Sequence, residues 1–422
     1  MKILLKNGTV VRDKSEKLDI YIEDGKIVEI AKDIEKEADE IHSLDNMHVL
    51  PGLIDAHCHL RDPGQEYKED IESGTLSALE GGFTSIACMP NTDPVIDNDS
   101  MITYILEKAA DVGHINVFPI GAVSKNMEGK KLSEIGEMKK AGAVAISDDG
   151  KPVLTAELMM KAMKYANMFD LTVISHCEEL TLAEDGVMNE GVISTLLGLK
   201  GIPSASEEIM VAREILLSEY LNIPVHIAHV SSHTSIELIR NAKKRGVKVT
   251  CETCPHYFTL TEKACEGFNT FAKVNPPLKT EIDVEAVING VKDGTIDMIA
   301  TDHAPHHIDE KNVEFNIALN GLVGFETALS LALTYLVKPG HLSIEELAEK
   351  MSTNPSKLLN LESKGVLAVG KDADITVVDM NKEYVVDIEK FSSKSKNSPF
   401  DGMKLKGKQF MTIIGGKTYV CR

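Results

Sequence analysis

Both ends of the chain alternate apolar and polar residues with the period of two that is typical of β-strands. The pattern covers residues 2–6, 19–23, 373–379 and 411–420. Near the N-terminus the turn dipeptides Asn7-Gly8 and Asp24-Gly25 separate the runs, which predicts a small antiparallel β unit. We therefore expect the segments 1–50 and 365–422 to share one β-sheet domain.

The middle of the chain, residues 51–364, has a different pattern in which short apolar runs alternate with helical segments. Eight runs are candidate strands, at residues 53–56, 84–89, 117–120, 143–146, 171–174, 225–228, 248–251 and 296–300. Strands that alternate with helices form parallel sheets, and eight such units favour a closed (β/α)8 barrel of the TIM type over an open doubly wound sheet. No glycine-rich phosphate loop follows the first run. We therefore predict an α/β barrel.

Composition and charge narrow the possible partners. With 43% hydrophobic and 26% charged residues the chain has the composition of an ordinary globular protein. A net charge of -20 argues against nucleic acid as a partner, because proteins that bind phosphate backbones concentrate lysine and arginine. An anionic substrate would therefore need a local cation.

Targeting signals and cysteines bear on the compartment. No continuous apolar stretch is long enough for a signal segment or a membrane span. Seven scattered cysteines, an odd number, fit a reducing compartment better than a disulfide framework. We expect a cytoplasmic protein with free thiols and no membrane partner.

The predicted strands end in residues that bind metals. In such a barrel the active site lies at the C-terminal ends of the strands. The runs end in His57-Cys58-His59, Asp148-Asp149, His176, His229 and Asp302-His303. Because side chains alternate along an extended strand, His57 and His59 can point into the same barrel mouth while Cys58 points away.

These residue types predict two metal ions. Imidazole and carboxylate are ligands that borderline divalent metals such as zinc accept, although manganese, cobalt and iron accept them as well. Four histidines and two carboxylates exceed the three protein ligands of a usual mononuclear zinc, so we infer two metals that share a bridging carboxylate and a bridging hydroxide. The segment 251–254 is a competing metal signal, but no second ligand pair follows it, and we interpret it as loop and core cysteines or, alternatively, a redox motif.

Longer motifs resemble those of the dihydroorotase family. The run 51–64 (PGLIDAHCHLRDPG) resembles the first signature of that family, and 301–306 (TDHAPH) resembles the second. Further family-like motifs follow in the family's order at residues 89–92, 147–150, 176–178, 229–231 and 274–278. The resemblance implies a (β/α)8 barrel with a β-sandwich formed by both termini, and the reversible cyclisation of N-carbamoyl-L-aspartate to L-dihydroorotate in pyrimidine (UMP) synthesis.

The fourth strand discriminates among related families. Dihydropyrimidinases, hydantoinases and many other dihydroorotases carry there a lysine that is carboxylated to bridge the metals, whereas this chain has Ser147-Asp148-Asp149-Gly150, which resembles class I bacterial dihydroorotases. Spacing to His176 selects Asp149 as the bridge and leaves Asp148 to support the ligand or to turn the chain. Lys151 lies beyond the glycine turn and is expected to face solvent.

The resemblance also implies roles for individual residues. One metal would be held by His57, His59, Asp149 and Asp302, and the other by Asp149, His176 and His229. Asp302 would also act as general acid and base. The substrate carboxylate would bind Arg61, with Asn91 and His306 beside it, and the substrate ring would contact Asn275, Asn320 and Gly321. The guanidinium of Arg61 would distinguish dihydroorotate from uncharged hydantoins.

Alternatives remain open at this stage. The chain could be a hydantoinase or a dihydropyrimidinase-like cyclic amide hydrolase, or a non-catalytic subunit that scaffolds an aspartate transcarbamoylase. A homo-oligomer and an association with aspartate transcarbamoylase are expected from the family. The segment 306–315 is polar, and we expect a mobile loop that closes over substrate. Eight further histidines are expected to be structural or solvated: His42, His114, His226, His233, His256, His303, His307 and His341.

Overall fold

The computed structural model describes residues 1–420, in which two terminal groups of strands enclose a long alternation of strands and helices. The N-terminal strands are β1 (Lys2–Val10), β2 (Glu16–Glu23), β3 (Lys26–Ala31), β4 (Glu40–Ser43) and β5 (His48–Pro51). The central strands are β6 (Leu53–Cys58), β7 (Phe83–Cys88), β8 (Asn116–Pro119), β9 (Ile146–Ser147), β10 (Val173–Ser175), β11 (Met188–Asn189), β12 (Gly201–Ile202), β13 (Val225–Ile227), β14 (Val249–Thr253) and β15 (Met298–Ile299). The C-terminal strands are β16 (Ile375–Val385), β17 (Lys404–Ile414) and β18 (Lys417–Val420).

The helices lie between the central strands and after them. They are α1 (Ile71–Glu80), α2 (Asp99–Val112), α3 (Ile135–Ala141), α4 (Ala156–Asn167), α5 (Leu180–Ala183), α6 (Val192–Leu197), α7 (Ala205–Leu221), α8 (His233–Lys244), α9 (Glu281–Lys292), α10 (Ile308–Lys311), α11 (Phe325–Ala332), α12 (Ile344–Ala348) and α13 (Asn354–Leu358). No helix within residues 1–420 is both long enough and apolar enough to cross a membrane.

The strands of the two termini form one eight-stranded sheet, as predicted. Its order is β18-β17-β16-β5-β1-β2-β3, and β4 also pairs with β1. The predicted antiparallel unit forms from β1, β2 and β3, whereas β4 and β5 run parallel to β1. After β3 the chain crosses to the other side of β1, where β4 and β5 pair in the same direction as β1.

The sheet surrounds a core to which both termini contribute. Ile3 and Leu5 of β1 point to the same side because they are two residues apart, and they share this core with Ile375 and Val377 of β16 and Met411 of β17. Burying each such side chain stabilises the fold by about 1.5–3 kcal/mol. The fold is therefore a barrel with a terminal β-sandwich, while the exact boundaries at residues 50/51 and 364/365 stay a prediction.

Each of the eight predicted central runs contains part of a strand, although the run 143–146 overlaps β9 only at Ile146, and these strands close into a barrel. Strands β6 to β8 pair in parallel, as do β9, β10, β13, β14 and β15. Parallel bridges between Gly121 and Ile146 and between Cys58 and His303 join the two sets at both edges. The small parallel pair β11 and β12 lies outside this ring.

Helix α8 illustrates how the local sequence fixes an outer element. It begins after Ser232, whose side chain accepts a hydrogen bond from the Ser235 amide, as expected of an N-cap residue. Ile236, Ile239 and Ala242 follow at intervals of three and are buried against the barrel. Helices packed in this way hold each strand so that its C-terminal end opens at the same face of the barrel.

Candidate metal centre

The six predicted metal ligands meet at the C-terminal mouth of the barrel. Each one lies at or just after the end of a strand: β6 for His57 and His59, β9 for Asp149, β10 for His176, β13 for His229 and β15 for Asp302. Two groups of ligand atoms form, each with its atoms within 4.8 Å of one another: His57, His59 and Asp149, and Asp149, His176 and His229. Asp149 belongs to both groups, as its predicted bridging position requires.

The carboxylate of Asp149 lies at the centre of four imidazoles. Its Oδ1 is 3.4 Å from His57 Nε2, 3.4 Å from His176 Nδ1 and 3.5 Å from His229 Nε2, and its Oδ2 is 3.5 Å from His59 Nε2. Asp302 Oδ1 lies 3.1 Å from His59 Nε2 and 3.5 Å from His57 Nε2. Of these two groups, the second carboxylate thus lies beside the one that contains the two histidines of the first strand.

The donor set fits divalent metal ions. Two ligands at about 2.1 Å from a tetrahedral cation lie about 3.4 Å apart, which matches the spacing around Asp149. Within residues 1–420, His57 Nε2 and Asp149 Oδ1 are buried and have no hydrogen-bond partner. Buried polar atoms without partners are costly, and a shared cation would satisfy both of them. The chain is therefore built to bind divalent metal at this mouth.

The charges in the group reinforce one another. Burial alone would raise the pKa of Asp149, but His57, His176 and His229 hold it well below its usual range. Burial alone would lower the pKa of His57, but Asp149, Glu252 and Asp302 raise it well above its usual value. A carboxylate that stays ionised among imidazoles attracts a cation. Protons would compete with that cation for the ring nitrogens of the histidines.

A buried carboxylate behind His57 was not predicted. Glu252 Oε1 lies 2.7 Å from His57 Nδ1, and its Oε2 lies 3.2 Å from His226 Nε2. His226 Nδ1 in turn lies 2.8 Å from Thr250 Oγ1. Cys251 and Cys254 are buried free thiols, as the interpretation of segment 251–254 as loop and core cysteines expected, and β14 carries Glu252 between them into the barrel interior. The available signal was a carboxylate within a strand, because a buried carboxylate needs a partner.

Two predicted substrate residues contact the ligands or their neighbours. Asn91 Oδ1 lies 2.8 Å from His59 Nδ1. The side-chain amide of Asn275 donates to Glu178, whose other carboxylate oxygen lies 3.4 Å from His176 Nε2. Both asparagines are therefore at the metal centre, and their contact with substrate stays a prediction.

The neighbours of Asp149 lie as the spacing argument indicated. Asp148 points away from the imidazoles and accepts hydrogen bonds from the Val123 amide and from the Ser124 amide and hydroxyl, at 2.8, 3.1 and 2.5 Å. Lys151 is exposed. Asp149 is therefore the carboxylate of this pair that can reach the metal groups, and Lys151 faces solvent.

Arg61 lies beside the metal groups as a buried cation. Its Nε donates to the Pro305 carbonyl at 3.1 Å, and its Nη2 lies 3.4 Å from His306 Nε2. Burial lowers the pKa of Arg61 to about 10, so it remains charged at neutral pH. Burial, together with Arg61 and two nearby lysines, holds the pKa of His306 well below its usual value. The cluster thus presents one permanent positive charge beside a neutral imidazole.

The residues Asn320 and Gly321 approach this cluster through their backbone. The Asn320 carbonyl lies 2.8 Å from His306 Nε2, whereas its side chain is exposed. Gly321 has φ +137°, and a Cβ there would lie 2.7 Å from Ala304 Cβ. Only glycine fits this position without strain, which lets the chain pass close to His306. Their contact with a substrate ring stays a prediction.

Backbone strain also marks the barrel mouth. Arg61, His229 and Asp302 have φ angles of +59°, +34° and +46°. Non-glycine residues in this left-handed region cost about 1–3 kcal/mol each and persist where surrounding structure enforces them. Strain at three proposed functional positions supports a site that is held in place by the barrel.

The segment after β15 is more structured than predicted. Residues 308–311 form helix α10, and the Lys311 side chain is fully buried, with Nζ donating to the carbonyls of Leu319 and Gly321 at 2.7 and 3.0 Å. The expectation of a polar loop was wrong here because the backbone carbonyls satisfy a buried lysine. Closure of segment 306–315 over substrate stays a prediction.

The sequence of the chain is similar to those of known proteins over its whole length. The amidohydrolase family model matches residues 48–419. The chain is 66% identical to a protein named dihydroorotase from Acetivibrio thermocellus, with 99% of both chains covered, and 54% identical to one from Geobacter sp., again with 99% of each covered.

Solved structures extend this comparison to the fold. The L-hydantoinase (dihydropyrimidinase) from Arthrobacter aurescens superposes with a TM-score of 0.91 at 27% identity, covering 99% of this chain and 96% of the other. Dihydropyrimidinase from Brevibacillus agri gives 0.89 at 24% identity, with 100% and 95% covered, and that likeness concerns the fold alone.

Proposed function

The chain belongs to the amidohydrolase family and, within it, to the dihydroorotases, and on this premise we propose how its own residues carry out the reaction. It is a metal-dependent cyclic amidohydrolase that interconverts N-carbamoyl-L-aspartate and L-dihydroorotate. We propose that its site is of the class I bacterial type, because Asp149 lies where other members carry a carboxylated lysine. The mutual approach of four imidazoles to that one carboxylate supports this assignment.

We propose that two zinc ions occupy the centre. His57, His59, Asp149 and Asp302 would hold one, and Asp149, His176 and His229 would hold the other. When bound, the two ions would lower the pKa of a water molecule and polarise the amide carbonyl of the substrate. The shared use of Asp149 by two groups of ligand atoms supports a count of two.

Asp302 is proposed to move the proton. On ring opening its carboxylate would take a proton from the attacking water and deliver it to the ring nitrogen that leaves. On cyclisation the same carboxylate would take the proton from the attacking nitrogen. Asp302 is only partly buried and faces the mouth, whereas Asp149 is enclosed by imidazoles, so Asp302 is better placed to exchange a proton with substrate.

The observation that carries the choice of substrate is the buried Arg61. A chain with a net charge of -20 needs a local cation for a substrate carboxylate, and Arg61 provides one at the barrel mouth. Its planar guanidinium can form two charge-assisted hydrogen bonds with that carboxylate. Asn91 and His306 are proposed to complete the carboxylate site, and Asn275, Asn320 and Gly321 to contact the ring.

Two alternatives fit the observations less well. The substrate of a hydantoinase would have no carboxylate for Arg61 to bind. The hydantoinase structures are also only 22–27% identical to the chain, whereas the dihydroorotases are 52–66% identical to it. A non-catalytic scaffold would be expected to lack ligands, whereas every proposed position here holds a competent ligand.

The proposal is tested by dihydroorotate hydrolysis with zinc-replete wild type beside Arg61→Ala and Asp302→Asn, with metal content measured in parallel. Arg61→Ala should retain its metal and raise KM, because it removes a charged contact worth about 2–5 kcal/mol. Asp302→Asn should lower kcat by roughly 100-fold or more. Unchanged kinetics in either variant would contradict the role given to that residue.

Further proposals concern the assembly and its surroundings. The resemblance to class I dihydroorotases supports a homo-oligomer and an association with aspartate transcarbamoylase, which sedimentation of the mixed proteins would test.

The state of the cysteines supports a location of the protein in the reducing cytoplasm. Six described cysteines are unpaired thiols, and Cys421 lies outside the described residues.

A further inference from the structure

A third group of metal-ligating atoms lies next to the proposed binuclear centre. It consists of Cys254 Sγ, a ring nitrogen of His256 and a carboxylate oxygen of Asp302, all within 4.8 Å of one another. Cys254 directly follows β14, and His256 lies in the short 3-10 helix Pro255–Phe258. None of the roles proposed for the reaction uses Cys254 or His256.

His256 is the most unusual member of this group. Its side chain is 1% exposed, and neither ring nitrogen has a hydrogen-bond partner within residues 1–420. A buried polar group without a partner costs about 1–3 kcal/mol, and its presence in a native structure points to an unseen water or ion. The expectation that His256 is merely structural gives no reason for a histidine at this position.

All three side chains of the group are of kinds that bind metal. Asp302 brings a carboxylate, Cys254 a thiol and His256 an imidazole whose ring nitrogens have no partner within residues 1–420. On binding a metal the thiol gives up its proton and becomes a thiolate.

The chemistry of the donors selects the metal. Thiolate and imidazole together prefer soft or borderline cations over magnesium or calcium. Bonds of about 2.3 Å to sulfur and about 2.1 Å to nitrogen place these two ligands at most about 4.4 Å apart across one cation. The observed group is already close to that spacing.

We propose that Cys254, His256 and Asp302 form a third metal site, which binds a thiophilic divalent cation such as excess zinc or cadmium and inhibits the enzyme. On binding, the Cys254 S–H bond breaks, a sulfur–metal bond forms and the proton passes to the buffer. Inhibition follows because the cation occupies the carboxylate of Asp302. This last step rests on the proposed function, in which Asp302 moves the proton, whereas binding itself does not.

The test begins with holoenzyme that contains two zinc ions per chain and hydrolyses dihydroorotate. Cadmium is then titrated, and four quantities are followed: bound cadmium, retained zinc, the ultraviolet sulfur-to-cadmium charge-transfer band and turnover. The expected result is one additional cadmium per chain with no loss of zinc, appearance of the band and a loss of turnover of roughly 100-fold, the low end of the contribution of a positioned acid or base.

Variants identify the ligands. Cys254→Ser and, independently, His256→Asn should lose the additional cadmium and the inhibition, and Cys254→Ser should also lose the band. Cys265→Ser is the matched control, because Cys265 is buried, donates to the Ala272 carbonyl and lies outside the group. It should keep all three responses.

The failures of the two proposals are distinguishable. If the two-zinc wild type binds no further cadmium, or if the band survives Cys254→Ser, the third site is refuted and His256 is satisfied by water alone. If wild type binds the additional cadmium with the band but keeps its turnover of dihydroorotate, the third site stands and the proposed role of Asp302 in the reaction fails.

Discussion

Replacing Glu252 by glutamine tests whether hydrogen bonds behind the ligands set the affinity of the centre. The carboxylate of Glu252 accepts from His57 Nδ1 at 2.7 Å, which leaves Nε2 of that ring directed at Asp149. Its other oxygen faces His226 Nε2 at 3.2 Å. Glutamine has nearly the same shape but carries no charge, so the change removes the anion and keeps the packing.

The expected magnitude follows from the loss of that charge. A hydrogen bond to a charged group contributes about 1.5–3 kcal/mol, about twice a neutral one. Replacing the hydrogen-bond partner of a ligating histidine typically weakens metal binding by about 10–100-fold, or about 1.4–2.7 kcal/mol. We expect the dissociation constant of the ion held by His57 to rise by that factor, while the ion held by His176 and His229 changes less.

The assay is a competition for zinc between the protein and a chromogenic chelator at neutral pH. Glu326→Gln is the matched control, because Glu326 is a mostly buried carboxylate that accepts from the Ser77 hydroxyl and the Ser392 amide rather than from a proposed metal ligand. Turnover of Glu252→Gln should recover in part at high zinc. Equal zinc affinity in the two variants would refute the idea that Glu252 positions His57.

Three further predictions concern stability. Gly321→Ala should lower the free energy of unfolding by about 1–3 kcal/mol more than Gly340→Ala does. Both glycines have positive φ, but of the two only Gly321 lacks room for a Cβ. Equal shifts in Tm for the two variants would contradict this prediction. Burial would raise the pKa of Asp372, but Lys26, Ser363 and Lys364 lower it to about 2. Since the folded pKa is below the unfolded one, this stabilisation is present above about pH 4 and is lost as the pH falls toward 2. Asp372→Asn should therefore lower the free energy of unfolding by about 1 kcal/mol at pH 7, a value that is small because Lys26 is exposed to solvent. Chemical unfolding that shows the same loss at pH 3 would count against this prediction. Removing metal with a chelator should lower Tm, because a ligand at about 1,000 times its Kd stabilises by about 4 kcal/mol; an unchanged Tm despite complete removal of metal would disagree.

The parts of the site predicted from sequence are those with a local signature. Each metal ligand lies within three residues of the end of an apolar run. The rule that barrel sites lie at the C-terminal ends of strands was therefore enough to bring His57 and Asp302 together across 245 residues of sequence. The eight central strands were predictable for the same reason, since each run has its own length and composition.

The parts that were missed depend on which elements become neighbours. Glu252 is 195 residues from His57, and no spacing rule connects the middle of β14 with the end of β6. The parallel pairing of β4 and β5 with β1 was missed because alternation identifies a strand but not its partner or direction. Lys311 is polar in sequence, and only the folded chain provides the carbonyls that allow it to be buried.

The rates of dihydroorotate and hydantoin hydrolysis should be compared in one preparation of wild type, with its zinc counted. We expect about two zinc ions per chain and a clear preference for dihydroorotate that is lost in Arg61→Ala. Hydantoin hydrolysed as fast as dihydroorotate, by a protein with its metal in place, would show that Arg61 does not select the substrate.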